Sequence, residues 1–153
     1  MKKVTILALH LGYGGIENAV ATLANLLCEK YEVEILSVYR LYNEPVFDID
    51  ERVKIRYISN IKPNKKEMKF YLEKKNFKMF FKGIGKSLET GFVKYIKTAS
   101  VLRKLDCDVI ISTRTVHNML VSKFAPKKIR KIAWEHNHHN NNKKYINSLV
   151  KSC

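Results

Sequence analysis

The sequence predicts an α/β fold: a Rossmann-like, mostly parallel sheet in the order 3-2-1-4-5 with helices on both faces, built from 153 residues. Three observations predict it. Short apolar runs alternate with segments of helical period, the pattern of parallel strands joined by crossover helices. A glycine-rich turn, His10-Leu11-Gly12-Tyr13-Gly14-Gly15, joins the first apolar run to the first helical segment, so that free backbone N–H groups face outward where a phosphorylated ligand could sit. Apolar residues make up 46% of the chain, enough for a substantial core at this length.

Val4 to Leu9 is too short for anything but a core strand or the core of a signal peptide, and His10 and the glycines that follow favour the strand. Ile16, Val20, Leu23 and Leu27 recur at spacings of four, three and four, marking an amphipathic helix. Val33 to Tyr39 is the second strand. Val53 to Ile58 alternates apolar residues with Lys54 and Arg56, as a half-exposed edge strand does. Phe70, Phe77, Phe81, Ile84, Leu88, Phe92 and Tyr95 form a helical stripe, with Gly83, Gly85 and Gly91 predicting two helices joined near Gly83. The second of these, about Lys86 to Leu105, is expected to dock on the sheet. Val109-Ile110-Ile111 is a short continuous run suited to a central strand, and a helix over Asn141 to Lys151 is expected after the fifth strand. Crossovers should be right-handed.

Ligands of such sheets bind beyond the carboxyl ends of the strands, where the winding reverses. Three polar turns fall there: His10 to Gly15, Thr113 to Asn118, and Glu135 to His139. On position, His10, Tyr13, Arg114, His117 and Asn118 are candidates for lining one cleft. Against the dinucleotide fingerprint, Gly12 and Gly14 fit the first two glycines, Glu17 stands in place of the third, and the second strand ends in Arg40 rather than an acid. An NADP-binding oxidoreductase fragment therefore stays as an alternative, as does a turn whose glycines serve only tight geometry. The histidines after Glu135 lack the dispersed spacing of a zinc site, so no metal is expected. Cys28, Cys107 and Cys153 are odd in number and widely spaced, which fits a reducing cytoplasm.

The net charge of +15 is concentrated in the second half, where residues 61–153 hold 22 Lys and Arg against 6 Asp and Glu. That asymmetry predicts an anionic partner. With no recognisable nucleic-acid motif, nucleic acid is not expected. Residues 62–104 carry 13 Lys and Arg interleaved with aromatics. They suit an anionic membrane surface, or simply the solvated side of packed helices.

Gly14-Gly15-Ile16-Glu17, the helix after it and Tyr31-Glu32-Val33-Glu34-Ile35 resemble the opening of family 4 glycosyltransferases, which have a GT-B, twin-Rossmann architecture. Lys131-Ile132-Ala133-Trp134-Glu135-His136-Asn137-His138-His139 resembles the strand and histidine turn of bacterial surface-polysaccharide members. The resemblance implies retaining transfer of a sugar from a nucleotide-diphosphate sugar to a saccharide or lipid-linked acceptor, without a cofactor or bound metal. It implies that His136 is catalytic, holding the donor sugar in its reactive pose, and that Gly14 and Gly15 lie against the donor diphosphate. Glu17 and His138 join the acceptor candidates, Glu17 alternatively serving the helix alone. Residues 1–153 would then be the N-terminal, acceptor-binding domain, with the donor-binding domain absent. Alone, the chain is expected to be inactive or nearly so, cytoplasmic, and peripheral at the inner face of the plasma membrane. A membrane-docking subunit of a split glycosyltransferase is the further alternative.

Overall fold

The computed structural model describes residues 1–60 and 77–135. Five parallel strands, β1 (Lys3–Ala8), β2 (Glu32–Tyr39), β3 (Lys54–Ser59), β4 (Val109–Ser112) and β5 (Arg130–Ala133), form one sheet in the order β3-β2-β1-β4-β5. The predicted order and the predicted parallel direction are both found. β1 lies in the centre because it can be buried on both faces: from Val4 to Ala8 every residue is out of solvent.

The period-two alternation of the strands sorts their side chains into two cores. Ile6, Val33 and Ile35 face α1 (Gly15–Leu27), which supplies Val20, Ala24 and Cys28. Leu7, Leu36 and Val38 face the opposite layer. Small Ala24, wholly buried, lets the α1 backbone approach the sheet closely. β3 is the half-exposed edge that its alternation predicts, with Lys54 on Glu32 at 2.7 Å and Arg56 on Glu34 at 2.8 Å. Exposed pairs of this kind contribute at most about 1 kcal/mol each, but their spacing holds the β2–β3 register.

The opposite layer corrects one expectation. Helix runs without interruption through Gly83, Gly85 and Gly91, as α2 (Phe77–Phe92), a π-helical turn (Val93–Lys97) and α3 (Thr98–Arg103). A glycine inside a helix costs about 1 kcal/mol but does not remove a hydrogen bond as proline does, and docking of the helix on the sheet offsets that cost. The docking face is also not the predicted stripe. Val93, Thr98 and Leu102 are buried, a spacing of five and then four, while Leu88, Phe92 and Tyr95 are exposed. Five residues is the repeat of the π turn, so the turn re-phases the helix and leaves Lys97 outside. Thr98 closes it by donating its hydroxyl to the Val93 carbonyl at 3.0 Å. Tyr39, at the end of β2, anchors the same segment by donating to the Thr90 carbonyl at 2.9 Å; burial pushes its phenol up to about 12. The layer is completed by α4 (Thr115–Phe124), whose Leu120 and Val121 pack against Leu102 and Ile110.

Candidate functional site at the carboxyl edge of the sheet

β1 and β4 are neighbours whose crossovers leave in opposite directions, so a crevice opens beyond their carboxyl ends. Two predicted polar turns meet there, and the third begins at its side. Thr113 donates to the Leu7 carbonyl at 3.0 Å, fixing the β4 turn to β1, and the Trp134 N–H donates to the Ser112 carbonyl at 2.8 Å, fixing the β5 end to β4.

Glu17 and Arg114, 97 residues apart in sequence, join across this crevice at 2.7 Å. Glu17 sits in the first turn of α1, where its charge complements the helix dipole, and its side chain is 5% exposed. Arg114 precedes the first turn of α4, and its Nε is buried without a hydrogen-bond partner. His10 stands beside them. Its Nδ1 accepts the Gly12 N–H at 3.3 Å, so that the ring proton belongs on Nε2, and the 3.5 Å approach of Nδ1 to Glu17 is not a charged bridge. Burial, helped by the Arg114 charge and opposed by Glu17, holds the His10 pKa below its ordinary value. Near neutral pH the group is thus a carboxylate, a guanidinium and an uncharged imidazole.

The two glycines have separate reasons. A Cβ on Gly14 would collide with Oε2 of Glu17, so any larger residue there must displace the carboxylate beneath it. A Cβ on Gly15 would meet nothing within 4 Å. The space over Gly15, at the amino end of α1, is open to a ligand.

Tyr13, 76% exposed, meets Tyr42, 47% exposed, edge to face, with ring centroids 5.9 Å apart and planes at 85°. Tyr42 was not among the sequence candidates. It follows the second strand in a loop without periodicity, and the available signal was an aromatic residue next to a strand's carboxyl end. The loop is held in place: the Val46 N–H donates to the Leu11 carbonyl at 3.1 Å, and Asn25 of α1 donates to the Asp48 carbonyl and accepts from the Asp50 N–H.

His117 and Asn118 lie beneath the rim rather than on it. His117 is 0% exposed and neither ring nitrogen makes a well-aligned hydrogen bond; the ring lies beside the Leu7 carbonyl, which also accepts from Thr113. Burial first, then the Arg114 and Lys94 charges, push its pKa down to about 3. Asn118 accepts from the Ser112 hydroxyl at 2.6 Å and donates to Glu135 at 3.2 Å, and Thr115 also donates to Glu135. Glu135 thereby ties the end of β5 to the first turn of α4, a contact the sequence did not single out. His136 and His138 lie outside the described residues, as does the predicted helix over Asn141 to Lys151. Among the described residues, no group of three His, Cys, Asp or Glu side chains gathers as a metal site would require.

No family profile matches the chain. Over 132 residues it is 30% identical to an exopolysaccharide phosphotransferase of Streptomyces coelicolor, a match covering 80% of this chain and 14% of that protein. Over 101 residues it is 26% identical to a GalNAc-alpha-(1->4)-GalNAc-alpha-(1->3)-diNAcBac-PP-undecaprenol alpha-1,4-N-acetyl-D-galactosaminyltransferase of Campylobacter jejuni, covering 66% of this chain and 28% of that protein. Among solved structures, the apo form of the lipopolysaccharide outer core galactosyltransferase WaaB superposes with a TM-score of 0.56 at 14% identity, over 97% of this chain and 37% of that one. At that identity the likeness is one of fold. The chain spans well under half the length of each of these proteins.

Proposed function

We propose that this chain is the N-terminal, acceptor-binding half of a GT-B glycosyltransferase of family 4, retaining in its stereochemistry, working in cell-surface polysaccharide synthesis. The observation that carries the reading is the Glu17–Arg114 pair, which closes the crevice between the amino ends of α1 and α4 directly below the Gly14–Gly15 turn. The similarity to two proteins named for transfers onto glycans supports it.

In this reading a saccharide or lipid-linked saccharide acceptor lies along the rim formed by His10, Tyr13, Glu17 and Arg114. His117 and Asn118 act from below by fixing the α4 turn, and His138 is a further acceptor contact. The diphosphate of a nucleotide-sugar donor approaches Gly14 and Gly15, where α1 N–H groups offset the charge of the leaving group. A second Rossmann-like domain supplies most of the donor contacts. His136 holds the donor sugar against the attacking hydroxyl. No cofactor and no metal takes part. The protein works in the cytoplasm, against the inner face of the plasma membrane.

A second reading follows from the name of the Streptomyces relative, which transfers a phospho group. One experiment separates them. The product of the full reading frame is incubated with nucleotide-diphosphate sugars and undecaprenyl-diphosphate-linked saccharides, and the products are weighed by mass spectrometry. Gain of a sugar mass without phosphorus is expected, with turnover lost in His136→Ala and folding unchanged. Gain of a phosphate-containing mass would replace this reading by the second. Turnover at the wild-type rate in His136→Ala would remove the assigned role of His136. Sugar transfer by residues 1–153 unaided would overturn the half-enzyme reading.

A further inference from the structure

We propose that Tyr13 and Tyr42 form a stacking platform for one uncharged pyranose ring, whose hydroxyls are read by the Glu17–Arg114 pair and by Nε2–H of His10. This rests on the acceptor-binding reading above and names the chemistry of that subsite.

The five side chains are linked one to the next by close approaches, in part through buried Gly12. Gly12 lies between Tyr42 and His10: a Cβ there would stand 3.2 Å from Cε2 of Tyr42 and 3.4 Å from Nδ1 of His10. Nδ1 of His10 is 3.5 Å from Glu17, which in turn holds Arg114. A path of contacts thus runs from two exposed aromatic rings to a sheltered carboxylate and guanidinium. Pyranoses carry both kinds of surface: axial C–H groups on one face, suited to an aromatic ring, and hydroxyls around the edge, suited to planar charged groups that accept and donate. The edge-to-face arrangement makes a right-angled corner, which fits a ring of that thickness laid against one wall.

Charge decides between a sugar and the phosphate of a nucleotide. Arg114 is neutralised by Glu17 at 2.7 Å. His10 carries no positive charge near neutral pH, since burial lowers its pKa. A diphosphate laid against the two tyrosines would find no uncompensated positive charge, whereas a neutral hydroxyl can donate to Glu17 and accept from Arg114 without disturbing the pair. Size argues against a protein partner: two rings fall far below the roughly 800 Å² per partner that a stable interface needs. Rigidity favours binding, because Val46, Asn25, Asp48 and Asp50 already hold the Tyr42 loop against Leu11 and α1, so little ordering remains when the ligand arrives.

The test is saturation-transfer NMR on the whole chain, with the methyl glycosides of galactose, glucose and N-acetylgalactosamine as probes and UDP as the charged control. Saturation should pass to the ring C–H protons of at least one glycoside. Tyr42→Ala and Tyr13→Ala should each weaken its binding by about fivefold or more, and Tyr42→Phe by less than about twofold. Should Tyr42→Ala fail to fold, Tyr13→Ala gives the same reading, since that ring is mostly solvated. The proposal is overturned by no transfer to any glycoside, by binding indifferent to both alanines, by a tyrosine-dependent signal from UDP alone, or by self-association that the alanines abolish. Tyrosine-dependent glycoside binding without sugar transfer by the full reading frame would keep the subsite and remove the proposed function. Sugar transfer with an unchanged acceptor KM in both alanine variants would do the reverse.

Discussion

Gly14 and Gly15 are adjacent and alike in sequence, and their surroundings assign them opposite roles. Gly14 lies against Glu17, so Gly14→Ala must shift the carboxylate and disturb the geometry of its bond to Arg114. A loss of about 1 kcal/mol is expected, read by urea unfolding. Gly15→Ala meets open space in the first turn of α1, where alanine favours the helix by roughly 0.5–1 kcal/mol. It should therefore fold at least as well as the parent, yet lower turnover of the full reading frame by filling the approach to the donor. Unchanged turnover in Gly15→Ala would mean that no ligand comes close to that position. At the same scale, His117 makes stability depend on pH. Its folded pKa of about 3 lies below the ordinary 6.5, so the unfolded chain binds a proton that the folded one refuses. The native state then loses up to about 1.4 kcal/mol per pH unit as pH falls below about 6.5, levelling near pH 3. His10 acts in the same direction. His117→Leu removes the His117 share and also two buried nitrogens without a well-aligned hydrogen bond, so it should be at least as stable as the parent at neutral pH and show a flatter decline from pH 7 to pH 5. Parallel declines would show that the ring titrates alike in both states.

Elements differ in how far their residues announce them, and the reason is periodicity. β1 and β4 were legible because strands buried on both faces are continuous apolar runs, and β3 because an edge strand alternates. The long helix was misread in two places, each for its own cause. Glycines at Gly83, Gly85 and Gly91 are weak breakers, and the π turn shifts the phase of the residues after it, so that Thr98 and Leu102 join Val93 on the buried face while Leu88, Phe92 and Tyr95 stand exposed. Only the pairing of Thr98 with Val93 at a spacing of five records that shift, and a search at helical period does not see it. In the site, the paired turns were legible from strand ends, but Tyr42 and Glu135 were not, since each acquires its role from a contact made by folding. Gly85 provides the element's own test. It is exposed within α2 and an added Cβ meets nothing within 4 Å. Gly85→Ala should raise stability by about 0.5–1 kcal/mol if the helix is continuous there. Destabilisation would indicate a break that needs glycine.

At the scale of the whole molecule, charge and apolar exposure fall on the same segment. Residues 1–60 hold 7 Lys and Arg against 8 Asp and Glu, so all the excess positive charge lies in the second half. There Leu88, Phe92, Tyr95 and Ile96 stand exposed on the long helix, with Lys94 and Lys97 between and beside them. No helix among the described residues is long and apolar enough to cross a membrane. The pattern would suit a surface that rests on one: apolar side chains would enter the headgroup region while lysines would meet anionic lipid, each worth on the order of 1 kcal/mol near the surface. The two contributions can be separated because only one is screened by salt. Co-sedimentation with vesicles containing phosphatidylglycerol should fall steeply as sodium chloride is raised, and should be weak with phosphatidylcholine alone. Phe92→Asp with Ile96→Asp removes apolar contact and adds repulsion on residues that are already solvated, so it should abolish sedimentation while leaving the thermal unfolding curve in place. Binding to neutral and anionic vesicles alike, or binding that survives the double aspartate variant, would leave these residues as an ordinary solvated helix face.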